Sequence, residues 1–140
     1  MDETLIIRVD PRFPGAWDSL VPHIKDALGR SGAYRDWDEV DVFRAIVEGR
    51  CALWALVHQD NIFGAVVSSE IYYPKRKVID VTLMGTDPNT EAQWLVCVET
   101  FKRMAKAAGA DCLTATGRQG WSRKLGADRE RIVFEIDLGD

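Results

Sequence analysis

Apolar residues recur along this chain at two different spacings, and each spacing predicts a type of element. Residues 5–9 are apolar and β-branched and stop at Asp10-Pro11, which is typical of a strand. From Ala16 onward, intervals of three and four predict a helix, with apolar positions at Trp17, Leu20, Val21, Ile24 and Leu28. Because proline is tolerated in a first turn, Pro22 suggests a start near Ser19. Glycines 29 and 32 mark its end.

A second helix and three strands are predicted for the middle of the chain. Asp36 or Asp38 can cap the helix, which Gly49 ends, and its apolar positions are Val40, Phe43, Ile46 and Val47. Residues 51–57, 62–73 and 78–84 then alternate as strands joined by short polar turns. In the last of them, strict alternation places Ile79, Val81 and Leu83 on one face and Asp80, Thr82 and Met84 on the other.

The last third of the chain predicts a strand–helix–strand unit and two further elements. Thr90 and Gln93 have the spacing of a capping box in front of a long helix that ends at Gly109. Residues 112–116 form a strand, 119–125 a short helix and 131–138 a final strand. The order is β-α-α-β-β-β-α-β-α-β. The crossover through the long helix should be right-handed and should join two parallel strands, so we expect a mixed sheet. We expect one α/β domain over residues 1–140, with a six- or seven-stranded sheet flanked by helices.

Composition and charge argue against two classes of protein, those that bind nucleic acids and those that span a membrane. Apolar residues make up 46% and charged residues 29% of the chain, and the formal charge of −4 argues against a nucleic-acid-binding module. No apolar run is long enough to span a membrane, and three cysteines without metal-ligand spacing fit a reducing compartment, so the expected location is the cytoplasm. Basic clusters at 75–77 and 118–131 are either solvated faces or a surface for ligand phosphates.

Residues 113–127 read Leu-Thr-Ala-Thr-Gly-Arg-Gln-Gly-Trp-Ser-Arg-Lys-Leu-Gly-Ala. With the element order, this run resembles the Gcn5-related N-acetyltransferase fold, many of whose members carry Leu-Gly-Phe before the last strands. The run from Gly117 to Trp121 also resembles small acetyltransferase-like proteins encoded by tailed phages and prophages. The resemblance covers nearly the whole chain.

That resemblance implies a site for acetyl-CoA between the fourth and fifth strands. Main-chain groups of Leu83 and Met84 would hold the pantetheine arm and polarise the thioester carbonyl. The loop after them would offer N–H groups to the pyrophosphate at a helix N-terminus, from Gly85, Thr86, Asn89 and Thr90. The family loop reads Q/R-x-x-G-x-G/A, whereas this one contains Asp87 and Pro88.

Arg118 is a candidate for a phosphate or carboxylate contact, or for a purely structural cap or ion pair. Glu70 and Asp80 are the acidic residues inside the central strands and are the candidate catalytic bases, the alternative being a solvated sheet face. Many relatives place a tyrosine, the acid for the leaving thiolate, where this chain has Ser122. Tyr72 and Tyr73 are substitutes by proximity only. His23 and His58 form no recognisable constellation, and no metal site is expected.

Two functions remain open from the sequence. One is an acetyl-CoA-dependent N-acetyltransferase that acts on an unknown amine by direct transfer. The other is a catalytically inactive member of the fold that binds a phage particle or a host protein. In that case the expected location is the virion or the cytoplasm of a bacterial host.

Overall fold

The computed structural model describes residues 3–116, 121–131 and 133–139. Its strands are β1 (Thr4–Val9), β2 (Ala52–His58), β3 (Asn61–Tyr73), β4 (Arg76–Thr86) and β5 (Cys112–Ala115). Its helices are α1 (Ala16–Ser31), α2 (Glu39–Val47), α3 (Glu91–Ala107) and α4 (Trp121–Leu125). A single 3₁₀ turn, Ala33–Arg35, lies between α1 and α2.

The five strands form one mixed sheet in the order β1-β2-β3-β4-β5. The first four are antiparallel neighbours, and β5 returns beside β4 in parallel orientation after the α3 crossover. The predicted α/β architecture is therefore confirmed, but the expected six or seven strands are not found in the described part. The described residues of the expected final strand, 131 and 133–138, form no strand.

Helices pack on both faces of the sheet and enclose two separate apolar cores. On one face, α1 and α2 cover β2, β3 and β4 through a cluster centred on Leu20, Ile24, Leu53 and Val67. On the other face, α3 packs through Trp94 and Phe101 against residues that include Trp54. We call these the α1 face and the α3 face.

A β-bulge at Thr82 changes which side chains of β4 reach each face. In the register of the two strands, Val81 is opposite Ser68 and Leu83 is opposite Val67. Thr82 is therefore an extra residue with no β3 residue opposite it. Leu83 consequently lies in the core of the α1 face, while Met84 packs against that of the α3 face. The predicted grouping of Leu83 with Ile79 and Val81 is wrong because strict alternation does not allow for an extra residue.

Helix α1 begins earlier than Pro22 suggested. It starts at Ala16 and contains the proline in its second turn, with Gly15 before it in the left-handed region at φ 80°. Pro22 is exposed, whereas Leu20, Ile24 and Leu28 are buried. Burial of that apolar stripe therefore outweighs the lost hydrogen bond. The cap of α2 is confirmed at Asp38, whose side chain accepts from the Asp41 N–H.

Candidate active site

Strand β5 is paired with β4 along its whole length, which covers only part of the length of β4. Register pairs join Val78 to Cys112 and continue to Val81 with Ala115. Beyond Val81, β4 runs on to Thr86 beside β3 alone in the described part of the chain. The pairing ends next to the bulge at Thr82, and a bulge bends its strand and increases its twist. Among the described residues, the β4 backbone from Thr82 to Thr86 has no strand on the side away from β3, and we call this side the candidate opening.

Asp80 lies next to the point where the pairing of β4 with β5 ends. Its carboxylate accepts a hydrogen bond from Thr114 Oγ1 on β5 at 2.7 Å and another from Thr82 Oγ1 at 3.2 Å. The side chain thus bridges β5 and the bulge of β4. It is partly exposed.

A chain of polar groups continues from Asp80 across the α1 face. Ser69 Oγ lies 2.8 Å from Thr82 Oγ1, and Cys51 Sγ lies 3.4 Å from Ser69 Oγ. Because Thr82 donates its only hydroxyl proton to Asp80, it accepts from Ser69, which leaves Ser69 to accept from the Cys51 thiol. All the donors therefore point toward the Asp80 carboxylate.

Glu70 lies away from Asp80 and from the opening. It is opposite Ile79 on β4, on the α3 face, whereas Asp80 is opposite Ser69 on the α1 face. Its carboxylate accepts from Tyr72 OH at 2.5 Å and lies 3.5 Å from Lys77 Nζ. The hydrogen bond from Tyr72, more than the charge of Lys77, lowers the pKa of Glu70. The structure thus separates the two acidic candidates.

Helix α1 contacts β4 near the C-terminal end of the strand, at Gly85. A Cβ on Gly85 would lie 2.1 Å from the carbonyl oxygen of His23, so only glycine permits this contact. The loop after β4 is tied back to β3, since the Asp87 N–H donates to the Phe63 carbonyl at 2.8 Å. The helix and the loop are therefore fixed at the same end of the opening.

His23 also binds the acidic residue of that loop. Its Nε2 lies 2.9 Å from Asp87 Oδ1, while its Nδ1 is buried without a hydrogen-bond partner. The imidazole is 15% exposed and the Asp87 side chain 54% exposed. The Asp87 carboxylate is thus held toward α1 by a group that can carry positive charge.

The N-terminus of α3 carries no side-chain cap. Thr90 Oγ1 donates to the Asp87 carbonyl at 2.7 Å, and no cap hydrogen bond to the helix forms. The predicted capping box is wrong because the threonine hydroxyl is already used within the loop. The first backbone bond here runs from Trp94 N to Thr90 O, which leaves the preceding N–H groups directed outward. Lys124 of α4 lies 3.3 Å from Glu91 in the first turn.

Comparison with solved structures decides the fold. An aminoglycoside acetyltransferase from an uncultured soil metagenomic sample matches with a TM-score of 0.71 and 15% identity, over 98% of this chain and 99% of its own. A second such enzyme, in complex with sisomicin, matches at 0.69 and 10% identity, over 97% of both chains. An acetyltransferase of Trypanosoma brucei matches at 0.65 and 12% identity, over 97% of this chain and 100% of its own.

The chain has the Gcn5-related N-acetyltransferase fold. No protein-family model matches the sequence, and no curated protein matches it significantly. The resemblance to phage-encoded acetyltransferase-like proteins finds no support among these neighbours. In the described residues no helix is long and apolar enough to cross a membrane. The same residues contain no cluster of His, Cys, Asp and Glu able to hold a metal ion.

The acetyltransferase fold implies acetyl-CoA, and the residues present fit it in three respects. The β4 backbone around Leu83 and Met84 lies beyond the end of the pairing with β5. The uncapped start of α3 suits a phosphate group. Asn89 adopts the left-handed conformation at φ 62°, which asparagine accepts more readily than most residues and which turns the loop into α3. Pro88 removes one donor, and Asp87 adds a charge that His23 faces.

The remaining sequence-based candidates fall elsewhere or outside the described residues. Arg118 lies in the stretch 117–120 that the structure does not describe. Ser122 donates to Glu130, and Leu125 packs against the core of the α3 face. Tyr72 is bound to Glu70, away from the opening.

Sequence reasoning missed His23 as a residue of the site. Nothing in the spacing links it to Asp87, because the two are 64 positions apart and meet only when α1 packs on β4. The signal available was indirect: an acidic residue in a loop expected to face phosphate requires a basic neighbour. His23 and His58 were both candidates for this basic neighbour of Asp87, and the local sequence does not distinguish between them.

Proposed function

We propose that this chain is an acetyl-CoA-dependent N-acetyltransferase. The observation that carries the proposal is the end of the β4–β5 pairing beside the Thr82 bulge, with the Asp80 carboxylate next to it and the uncapped start of α3 beyond the end of β4. These features suit acetyl-CoA. Its extended thioester arm needs hydrogen-bonding backbone groups along a strand, and its phosphates need N–H donors at a helix N-terminus.

Asp80 is the proposed base. Direct transfer forms a C–N bond between the acceptor amine and the acetyl carbon and breaks the C–S bond, which releases the thiol form of CoA. Asp80 takes the proton that the amine loses, and its two hydroxyl donors fix the carboxylate in place. Outward-facing main-chain N–H groups near Leu83 and Met84 would stabilise charge on the carbonyl oxygen. Because Ser122 is bound to Glu130, we assign the thiolate's proton to solvent.

The acceptor that we propose to test first is a small polyamine of the aminoglycoside type. Two of the structural neighbours are described as aminoglycoside acetyltransferases, and one of them is in complex with sisomicin. The overall charge of −4 favours a cationic substrate over an anionic one.

The test is acetyl-CoA binding and turnover by the purified chain. We expect acetyl-CoA to raise the melting temperature, and a thiol-release assay to detect acetylation within a panel of aminoglycosides and linear polyamines. Asp80→Asn should lower kcat by about 10²- to 10⁴-fold, the range for loss of a general base. Glu70→Gln is the matched control, since Glu70 lies on the opposite face, and it should change kcat less than about threefold.

A second candidate function is a non-catalytic member of the fold that binds a protein. The loop favours it, since Asp87 is acidic and Pro88 lacks an N–H group. The same experiment separates the two functions. Absence of a thermal shift at millimolar acetyl-CoA would reject the transferase and support the binding protein.

A further inference from the structure

The chain of polar groups that reaches Asp80 begins inside the apolar core of the α1 face. Cys51 belongs to that core and is 9% exposed, and its Sγ lies 3.4 Å from Ser69 Oγ. Ser69 is half-buried and lies opposite Asp80 in the register of β3 and β4. Thr82 Oγ1 connects them, at 2.8 Å from Ser69 Oγ and 3.2 Å from the Asp80 carboxylate. The chain thus runs from a buried thiol to a partly exposed carboxylate.

The direction of these hydrogen bonds is set by the charge on Asp80. An ionised carboxylate only accepts hydrogen bonds, so the Thr82 hydroxyl must donate to it, and the Ser69 hydroxyl must donate to Thr82. The Cys51 thiol ends the chain and is both a weak donor and a weak acceptor. Because the thiol has no strong preference of its own, the carboxylate orients the whole chain.

Ser69 in turn acts on the Thr82 hydroxyl. Its proton occupies a lone pair of Thr82 Oγ1, which leaves the Thr82 proton directed at Asp80. Hydrogen bonds in series polarise one another, and this strengthens the bond to the charged group at the end of the series. Without Ser69 the Thr82 hydroxyl is free to rotate, and the carboxylate then loses one of its two fixed donors.

We propose that Ser69, supported by Cys51, is a positioning residue for the base Asp80. It acts through Thr82 and holds the carboxylate in one orientation, ready to accept the proton of the acceptor amine. The inference rests on the proposed function, since it assigns a role around the base of that reaction. A chain that only tied the strands together would affect stability but not turnover, and its thiol would not respond to changes at Thr82.

The kinetic test is turnover of the Ser69→Ala variant with acetyl-CoA and the amine that wild type acetylates. We expect kcat to fall about threefold to tenfold, the equivalent of one hydrogen bond, while KM stays within about twofold of wild type. Ser69→Thr keeps the hydroxyl and should restore kcat. Ser19→Ala removes an exposed hydroxyl from α1 and is the matched control, with kcat unchanged. An unchanged kcat in Ser69→Ala would overturn the proposal.

A spectroscopic test needs no substrate. The infrared S–H stretching band of Cys51, identified by its loss in Cys51→Ala, shows whether the thiol donates a hydrogen bond. We expect a hydrogen-bonded band in wild type. In Thr82→Val the band should move to the position of a free thiol, because Ser69 then donates to the sulfur. Thr114→Val is the matched control, since it removes the other donor to Asp80 and leaves the chain intact, and it should not move the band.

The two tests separate this inference from the proposed function. A Cys51 band that Thr82→Val leaves in place would overturn the positioning role, even in a chain that acetylates amines. A band that moves in Thr82→Val, in a protein without turnover, would support the orientation of the chain and reject the transferase activity alone.

Discussion

The carbonyl oxygen of His23 occupies the space that a side chain on Gly85 would need, 2.1 Å from the position of its Cβ. This contact brings the backbone of α1 against the backbone of β4 at the end of the candidate opening. It also places the His23 imidazole beside Asp87. One glycine therefore sets both the packing of the helix and the environment of the loop.

Gly85→Ala should destabilise the fold severely. The clash is with backbone atoms of His23, which cannot rotate away, so we expect a loss of at least about 2 kcal/mol in urea unfolding. Gly29→Ala is the control: Gly29 lies within α1, and its nearest neighbour would be Tyr34 at 3.9 Å. That change should stabilise the chain by about 0.5–1 kcal/mol. Equal effects of the two substitutions would contradict the close contact.

The His23–Asp87 pair should set the affinity for acetyl-CoA. Without His23 the Asp87 carboxylate loses its partner and opposes the phosphates, so His23→Ala should weaken binding about threefold to fivefold. Asp87→Asn removes the opposing charge and should strengthen binding. The double variant should behave like Asp87→Asn alone. Calorimetry on the four proteins measures the cycle, and additive effects would show that the two residues act separately.

Ser68 should be important for stability although it is polar. It is 5% exposed and accepts a hydrogen bond from Trp54 Nε1 at 2.9 Å in the core of the α3 face. Ser68→Ala leaves the indole N–H buried without a partner and should cost about 1–3 kcal/mol. Ser19→Ala, which removes an exposed hydroxyl from α1, should stay within about 0.5 kcal/mol of wild type in the same denaturation assay.

Cys97 should make stability depend on alkaline pH. Burial raises the pKa of its thiol to about 11. In the unfolded chain the thiol ionises near pH 8.5. The neutral thiol favours the folded state, so this stabilisation is complete below about pH 8.5 and is lost as pH rises toward 11.

The advantage of wild type over Cys97→Ala in thermal unfolding should shrink across that interval. If the thermal stabilities of wild type and Cys97→Ala changed in parallel with pH, this role of Cys97 would be disproved. Alkylation gives a second readout: at neutral pH Cys97 should react only after denaturation, since the side chain is 3% exposed.

The fold was largely predictable because its elements are defined by local patterns. The meander, the crossover helix and the cap at Asp38 all follow from residues close in sequence, and the structure confirms them. The errors in the sheet have specific causes. A bulge adds a residue that alternation does not reveal, and the final strand pattern of residues 133–138 has no partner in its own described sheet.

The site was predictable only in part. The resemblance to the acetyltransferase fold implied the position of the candidate opening, and Asp80 was one of two candidate bases because it lies in the fourth strand; its role stays a prediction. Its hydroxyl partners Thr82 and Thr114 depend on the registers of three strands, which no local pattern fixes. The separation of Glu70 from Asp80 depends on the same registers, since neighbouring strand positions point to opposite faces.

The bulge at Thr82 has a consequence for how this domain tolerates changes in length. Thr82 is the supernumerary residue of β4, so a chain that lacked it would keep Val81, Leu83 and Met84 on their present faces. Deletion at this one position should therefore leave the two cores intact while it straightens the strand. The two cores do not need this residue, whereas the proposed site uses both its hydroxyl and the bend that it causes, so deletion of Thr82 should separate folding from the proposed activity.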